Sequence, residues 1–255
     1  MHNLEKLVGA NPRVFRDPSL DHEWCHGRPA TRLLVVSPHA DDAELGCGGY
    51  MHKVARQGGT VMNIVMAVGD VRFDHLGRIV TGAERIAELR ASMQVLGSDC
   101  KVLYERKDRY LDTVPVAELV HQLEIVLEDF QPTEILLPLA SSHQDHEATF
   151  RACVAACRPS SLTRTVQLIA AYEYSATSWG AGSAADAGKG GLYAEIGTAG
   201  LAAKLAALRC YMTQIRDDQH CWSLEAARAR AKMRGLESNL DHAELFHVMR
   251  LIVRS

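Results

Sequence analysis

Short apolar runs alternate with predicted helices along most of this chain. The first run, Leu33–Ser37, is rich in β-branched side chains, which is typical of a strand buried on both faces. A predicted helix covers Glu44–Gln57, and a second apolar run covers Thr60–Val68. The three segments together predict a β-α-β unit with parallel strands and a right-handed crossover.

The same alternation continues towards the C-terminus. Further predicted strands cover Lys101–Tyr104, Glu134–Leu139 and Gln167–Tyr174, and further predicted helices cover Thr81–Leu96, Val116–Phe130, Glu147–Cys157, Leu201–Ile215 and Leu224–Gly235. We therefore expect an α/β, Rossmann-like fold, with a mostly parallel sheet and helices on both faces. No internal repeat or linker divides the chain. This predicts one domain over residues 1–255, with an N-terminal arm over 1–30 and a flexible loop over 180–191.

The composition excludes several classes of partner. The net charge is −3 and the basic residues are scattered, whereas nucleic-acid binding requires a basic surface. No apolar run has the length of a membrane span, and residues 1–13 lack the apolar core of a signal peptide, which predicts a cytoplasmic protein.

Seven cysteines without a Cys-x-x-Cys pair indicate reduced thiols. A homo-oligomer is expected only because symmetric oligomers are the commoner case.

A polar cluster follows the first predicted strand directly. It places His39, Asp41, Asp42 and Glu44 within six residues, just before the predicted helix. A single Asp at this point would be explained as a helix N-cap, where a carboxylate accepts free backbone N–H groups. One imidazole and three carboxylates exceed what a cap needs and indicate a chemical site.

A second polar cluster, His143-Gln144-Asp145-His146, follows the predicted strand Glu134–Leu139. Because ligands of open α/β sheets gather at the carboxyl ends of strands, we expect the two clusters to meet at one edge of the sheet. Zn²⁺ prefers His nitrogen and carboxylate oxygen, and a catalytic site uses three protein ligands and leaves one position open. Two His and one Asp from the two clusters satisfy that requirement.

These motifs resemble the LmbE-like, or PIG-L, family of N-acetylglucosaminyl deacetylases, whose signature is His-Pro-Asp-Asp-Glu with His-Pro-Asp-His. Other segments similar to the family are Arg85-Ile86-x-Glu88-Leu89, Leu96-Gly97, Tyr172-Glu173, Lys204, Gln214 and Ala243-Glu244-x-Phe246. The resemblance covers residues 31–252. It implies the LmbE-like fold and a zinc-dependent hydrolase that removes the N-acetyl group from an N-acetylglucosaminyl-type amino sugar, a small-molecule glycoconjugate or natural-product precursor.

The resemblance also implies which residues bind the metal. It assigns the zinc ligands to His39, Asp42 and His146 and the general base to Asp41. This assignment is chemically consistent, because zinc lowers the pKa of bound water and a carboxylate that is not a ligand can take the remaining proton.

Two further residues of the second cluster receive supporting roles from the resemblance. His143 assists the tetrahedral intermediate or the leaving amine, and Asp145 orients His143 from behind. The chain departs from the family where Ala40 and Gln144 replace the two prolines and where no Tyr stands two residues before His143. Ser141 or Ser142 is the candidate substitute for that tyrosine.

Arg85 and Asp108 match family positions near the sugar, where Arg can bind hydroxyls or phosphate and Asp can accept hydroxyl protons. Arg85 has an alternative role as the partner of a glutamate on its own helix. Arg72 and Asp70, in the loop after the second predicted strand, are further candidates for contact with the substrate.

Aromatic residues lie on both sides of the predicted loop over 180–191. They are Tyr172, Tyr174, Trp179 and Tyr193. Aromatic rings stack on sugar faces in binding clefts, and packing in the core is the alternative. We expect the loop to act as a lid over the substrate.

Three other functions compete with deacetylation. A nucleotide-binding Rossmann module is suggested by Gly46-x-Gly48-Gly49, but these glycines fall inside the predicted helix and beside three carboxylates that repel a pyrophosphate. A metal-dependent phosphoesterase usually needs a two-metal cluster, for which one bridging ligand is missing. A non-catalytic sugar-binding or scaffold protein would not need both His clusters and Asp41.

Overall fold

A computed structural model describes residues 30–105, 107–174 and 191–253. The strands in this part of the chain are β1 (Arg32–Ser37), β2 (Thr60–Val68), β3 (Val71–Phe73), β4 (Arg78–Val80), β5 (Asp99–Glu105), β6 (Glu134–Pro138), β7 (Leu168–Tyr172), β8 (Gly191–Glu195) and β9 (Ala243–Leu251). The α-helices are α1 (Asp42–Arg56), α2 (Gly82–Leu96), α3 (Val116–Phe130), α4 (Gln144–Ala156), α5 (Gly197–Arg209) and α6 (Leu224–Glu237).

Seven strands form one sheet in the order β5-β2-β1-β6-β7-β9-β8, and β3 pairs with β4 in a separate hairpin. The first five strands of the sheet are parallel, whereas β9 runs antiparallel to β7 and β8 antiparallel to β9. The predicted mostly parallel sheet is therefore confirmed. The antiparallel edge was not predicted, because β9 alternates buried and half-exposed residues and carries several charges.

The two faces of the central strand β1 enter two different cores. Leu34 and Val36 pack with apolar residues of α3 and α4. Leu33 and Val35 pack on the other side with residues of α1, α2 and α5. This explains the continuous apolar run of β1, since both of its faces are covered by helices. The prediction of helices on both faces is confirmed.

The order of the strands positions the site. From β1 the chain proceeds to β2 and β5 on one side and then returns to β6 on the other. The strand order thus reverses between β1 and β6, and at such a point the loops beyond the carboxyl ends separate and leave a crevice. The two polar clusters follow these two strands.

The predicted helix over Leu201–Ile215 is wrong at both ends. α5 begins earlier, at Gly197 with its positive φ of 59°, and ends at Arg209. The chain leaves the helix because Tyr211 is fully buried, where its hydroxyl contacts the Ala40 carbonyl and the Glu44 carboxylate.

The glycines inside α1 allow close packing. α1 is kinked at Cys47, and a Cβ on Gly46 would lie 2.1 Å from the Tyr172 ring. At Gly49 a Cβ would lie 2.6 Å from Ile196. These glycines therefore bring the helix against the sheet and α5.

A buried ion pair holds the second half of α1. The Glu244 carboxylate accepts the Gly49 and Tyr50 backbone N–H groups, which follow the kink at Cys47, at 3.0 and 2.8 Å. Lys204 Nζ donates to the same carboxylate at 2.6 Å, and both side chains are 3% exposed.

We expect Lys204→Met to lower the free energy of unfolding by about 3 to 5 kcal/mol, because it leaves the Glu244 charge buried without its cation. Urea denaturation measures this change. Lys232 is the matched control, because its ion pair with Asp241 is exposed and Lys232→Met should cost less than about 1 kcal/mol. Equal losses of unfolding free energy in the two variants would contradict the stabilising role of the buried Lys204–Glu244 pair.

From Thr31 onwards, the described residues form one compact unit. The predicted arm over 1–30 and the predicted loop over 180–191 lie outside the described residues, except for Ala30 and Gly191. Among the helices that the structure describes, none combines the length and the apolarity needed to cross a membrane.

Candidate metal centre

The first polar cluster lies in the turn between β1 and α1. The Pro38 carbonyl accepts the Ala67 N–H of β2 at 3.1 Å, which fixes this turn against the sheet. α1 begins at Asp42, whose Oδ2 accepts the His39 backbone N–H at 3.0 Å. The carboxylate of Asp42 and the ring of His39 are thereby held side by side.

The second polar cluster forms the start of α4. His143 is the N-cap residue, and its Nδ1 accepts the Asp145 N–H at 3.2 Å. Asp145 and His146 follow in the first turn, and both are buried. The rings of His143 and His146 each lie close to His39, with ring centres 5.0 and 5.3 Å away.

His39, Asp42 and His146 present three ligand atoms to one point. The Asp42 Oδ2 lies 3.4 Å from His39 Nδ1 and 3.3 Å from His146 Nε2. Ligand atoms of all three residues lie within 4.8 Å of one another. Nitrogen and oxygen ligands of a tetrahedral metal ion are separated by about 3.4 Å, since each lies about 2.0 to 2.1 Å from the metal. The spacing fits one metal ion.

Asp145 supports this set through His39. Its Oδ2 lies 2.9 Å from His39 Nε2, the nitrogen opposite to the one that faces Asp42. The carboxylate also accepts the backbone N–H groups of Arg109 at 2.6 Å and Leu111 at 3.0 Å. The sequence prediction placed Asp145 behind His143, whereas the Asp145 carboxylate contacts His39 and only its backbone N–H contacts His143. The reason is that α4 directs the carboxylate towards the turn after β1.

The cluster attracts positive charge. Burial by itself lowers the pKa of His39, but hydrogen bonds to Asp145 and Asp42 outweigh burial and raise it to about 10. Burial raises the pKa of Asp42, and the neighbouring His146 and His39 more than reverse this, so that the pKa lies well below its usual range. Ionised carboxylates facing imidazole nitrogens form a donor set suited to a divalent cation.

Asp41 lies beside the three candidate ligands and belongs to neither candidate ligand group. It lines the same pocket as His39 and Asp42, yet its side chain does not cap α1 and forms no hydrogen bond with another described residue. Burial, followed by the charge of Asp42, raises the pKa of Asp41 to about 6. A carboxylate with this pKa can exchange a proton near neutral pH.

His143 offers a hydrogen-bond donor to the pocket. Because its Nδ1 accepts the Asp145 N–H, the neutral ring carries its hydrogen on Nε2. Burial, together with the charges of His39 and His146, lowers the pKa of His143 to about 4, which keeps the ring neutral. His143 therefore acts as a donor without carrying a charge.

A tyrosine from another strand end lies beside the candidate ligands. The Tyr174 ring stacks on His146 with 4.3 Å between ring centres, and its hydroxyl donates to Ser141 Oγ at 2.7 Å. Ser141 is buried, whereas Ser142 lines the pocket. Ser142 is thus the serine of the two that faces the cavity.

A cavity of about 340 Å³ opens above the ligands. Its lining residues are His39, Asp41, Asp42, Val71, Phe73, Arg85, Asp108, Arg109, Ser142, His143, Gln144, His146, Tyr174, Gln214, Arg216 and Trp222. Arg85 is buried there and pairs with Asp108, and its guanidinium also donates to the Gly69 carbonyl at 3.2 Å. The alternative of a surface pair with a helix glutamate is wrong for Arg85.

Arg72 and Asp70 do not line this cavity. The Arg72 side chain is 67% exposed and lies 3.9 Å from Asp74. Asp70 accepts the Gly82 N–H at 2.8 Å at the start of α2. Residues Val71 and Phe73, on either side of Arg72, are the ones that face the cavity, because side chains alternate along β3.

Of the predicted aromatic residues, Tyr174 alone among those described lines the cavity. Tyr172 is fully buried and donates to the Val36 carbonyl, and Tyr193 donates to Glu237 on the surface. Trp179 lies outside the described residues. Glu44 lies beneath the ligands, where it accepts hydrogen bonds from Ser92 and Tyr211 and where burial raises its pKa to about 7.

Sequence reasoning missed several residues of the cavity wall as candidates for substrate contact, among them Phe73, Gln214, Arg216 and Trp222. Gln214 had been noted only as part of a resemblance. The signal for Arg216 and Trp222 is weak, because both lie in irregular segments after α5, where periodicity gives no information.

Comparison with known proteins finds similarity to deacetylases. The family model PIG-L, described as GlcNAc-PI de-N-acetylase, matches residues 34–157. An uncharacterized deacetylase, YaiS of Escherichia coli K12, is 26% identical over 151 residues, which cover 57% of this chain and 75% of that protein. The 1D-myo-inositol 2-acetamido-2-deoxy-alpha-D-glucopyranoside deacetylase of Mycobacterium sp. strain KMS is 27% identical over 155 residues, and the match covers 49% of each chain. The chain thus matches about half the length of that enzyme.

A solved structure shares the fold. The A40926 pseudoaglycone deacetylase Dbv21 superposes with a TM-score of 0.69 at 21% identity, over 89% of this chain and all of that one. At this identity the likeness establishes the fold alone.

Proposed function

We propose that this chain, which belongs to the PIG-L (LmbE-like) family of metal-dependent deacetylases, removes the acetyl group from an N-acetylglucosaminyl-type amino sugar. One observation carries the proposal. Three ligand atoms spaced as around one metal ion share a cavity with Asp41, a carboxylate that makes no hydrogen bond to another described residue. A metal site with a free neighbouring carboxylate is the arrangement that hydrolysis by activated water requires.

We propose zinc as the metal and His39, Asp42 and His146 as the residues that hold it. Two imidazoles and one carboxylate are a known catalytic zinc set. When bound, zinc supplies Lewis acidity for the acetamide carbonyl and makes water a nucleophile near neutral pH.

Asp41 acts as the base in this proposal. It takes a proton from water as the oxygen attacks the acetamide carbon, and it returns a proton to the nitrogen when the C–N bond breaks. Acetate and the free amino sugar are the products. The raised pKa of Asp41 suits both proton transfers, the one from water to Asp41 and the one from Asp41 to the nitrogen.

His143 stabilises the oxygen of the tetrahedral intermediate. Its Nε2–H is directed by the bond between Nδ1 and the Asp145 N–H, so that no rearrangement is needed during the reaction. Arg85 and Asp108 contribute to the wall that receives the sugar, where the Asp108 carboxylate can accept a hydroxyl proton.

We expect Asp145→Asn to weaken zinc binding by about 10- to 100-fold, because His39 loses the carboxylate that orients it. Competition with a chromophoric chelator measures the affinity. Asp129→Asn, an exposed position on α3, is the control and should bind zinc as the wild type does. Unchanged affinity in folded Asp145→Asn protein would show that Asp145 does not support the ligand.

The geometry favours deacetylation over the alternatives. Among the described residues the two possible ligand groups both contain His39, so that they do not provide two separate metal sites for phosphoester chemistry. The glycines of α1 contact Tyr172 and Ile196, which leaves no room there for a pyrophosphate.

Acetate release tests the proposed function. The panel contains N-acetylglucosaminyl inositol, N-acetylglucosaminyl lipids, chitin fragments and glycopeptide pseudoaglycones, each tested with untreated, chelated and zinc-restored protein. Acetate that disappears on chelation and returns with zinc supports the proposal. Metal-bound, folded protein that releases no acetate from any member would overturn it.

A further inference from the structure

Arg216 lines the same cavity as the metal ligands but has no part in the proposed chemistry. It lies in the irregular segment after α5 and is half buried. Its charge therefore faces a substrate bound at the metal ligands.

The guanidinium is held between two aromatic rings. Its Cζ lies 5.2 Å from the centre of the Phe73 ring and 5.8 Å from that of Trp222. One nitrogen, NH1, donates to the Gln214 carbonyl at 2.7 Å and lies 2.8 Å from His75 Nε2. One segment distant in sequence, residues 73–75, and the residues on either side of Arg216 thus fix this cation in one orientation.

The segment that carries Arg216 is itself anchored to α2. The Glu88 carboxylate accepts the Thr213 N–H at 2.8 Å and its hydroxyl at 2.6 Å. The side-chain amide of Gln214 lies 3.4 Å from the same carboxylate, and its oxygen 3.4 Å from Arg85. Arg216 is therefore pre-oriented by the protein, which lowers the entropy lost on binding.

Two of the three guanidinium nitrogens of Arg216 have no partner among the described residues. The contacts above use NH1, whereas Nε and NH2 form no hydrogen bond within the described ranges, and no carboxylate there lies within 4.0 Å. Arg85, in the same cavity, is instead neutralised by Asp108. Partial burial lowers the pKa of Arg216, and the Asp41 charge opposes this. Two free N–H directions on a planar fork match an oxyanion.

We infer that the substrate carries an anionic group, a carboxylate or a phosphate, apart from its acetamide, and that Arg216 binds this group. The inference rests on the proposed function, because it assumes an amino sugar at the metal ligands. It assigns Arg216 as a residue that determines specificity.

The test uses three glucosaminyl glycosides that differ only in the aglycone end group, a carboxylate, a phosphate ester or a primary amide. Calorimetry measures their binding to zinc-loaded protein as the free amines, which cannot be turned over. We expect at least one anionic glycoside to bind about tenfold or more tightly than the amide. The preference should vanish in Arg216→Gln and be partly retained in Arg216→Lys.

Arg228→Gln is the control, because it removes one arginine charge from an exposed pair on α6, outside the cavity lining. It should keep the wild-type preference. Equal binding of all three glycosides, failure of all three to bind, or a preference that survives in Arg216→Gln would overturn the inference.

Acetate release from the N-acetylated forms of the same glycosides is scored separately. Charge-selective binding without acetate would refute the proposed function and leave the anion site standing. Acetate released at equal efficiency from charged and neutral forms would refute the anion site and leave the proposed function standing.

Discussion

Asp41→Asn should reduce kcat for deacetylation by about 100-fold or more while the protein still binds one metal ion. Asn has nearly the same shape as Asp but cannot accept a proton, and general-base catalysis contributes about 10²- to 10⁴-fold. The three proposed metal ligands contact one another and not the Asp41 carboxylate, so the metal site should survive. Acetate release and metal content measured on the same preparation test both parts.

Asp74→Asn is the matched control for this substitution, because Asp74 is 99% exposed in its side chain and lies outside the cavity lining. It should retain wild-type kcat and metal content. Full activity in Asp41→Asn would remove Asp41 from the reaction. Loss of metal in the same variant would place Asp41 among the ligands instead.

His146→Ala should lose the metal. His146 supplies one of three ligand atoms, and a site left with two protein ligands cannot hold zinc against a chelator. The buried ring also stacks on Tyr174, so we expect a small loss of thermal stability beside the loss of metal. Elemental analysis after dialysis measures the metal content.

His121→Ala, on the exposed face of α3, is the control and should keep one metal ion per chain. Undiminished metal in folded His146→Ala protein would mean that the ligand set is a different one. The overlapping group of His39, His143 and Asp145 would then be the next to substitute.

Much of the fold follows from local sequence. The strand over Thr60–Val68 and the helix over Val116–Phe130 have the predicted bounds, because a continuous apolar run and a 3.6-residue period are strong local signals. β8, β9 and the β3–β4 hairpin were missed, because short or half-exposed strands depend on partners distant in sequence.

The meeting of the two polar clusters was predictable, because it follows from the topology of the sheet. Two polar clusters at the ends of buried strands had to meet wherever those strands are neighbours, and β1 and β6 are neighbours. The contact of Asp145 with His39 depends instead on side-chain directions at the start of α4, which spacing does not specify. The position of Arg216 depends on an irregular segment that Glu88 anchors through Thr213. No local sequence pattern predicts this contact.

The most direct test of a single-metal deacetylase is a titration of metal-free protein with zinc, with initial rates of acetate release as the readout. We predict a rate that rises linearly and reaches its maximum at one equivalent of zinc per chain. A maximum at two equivalents would indicate a two-metal mechanism, and a rate independent of zinc would contradict the metal centre itself.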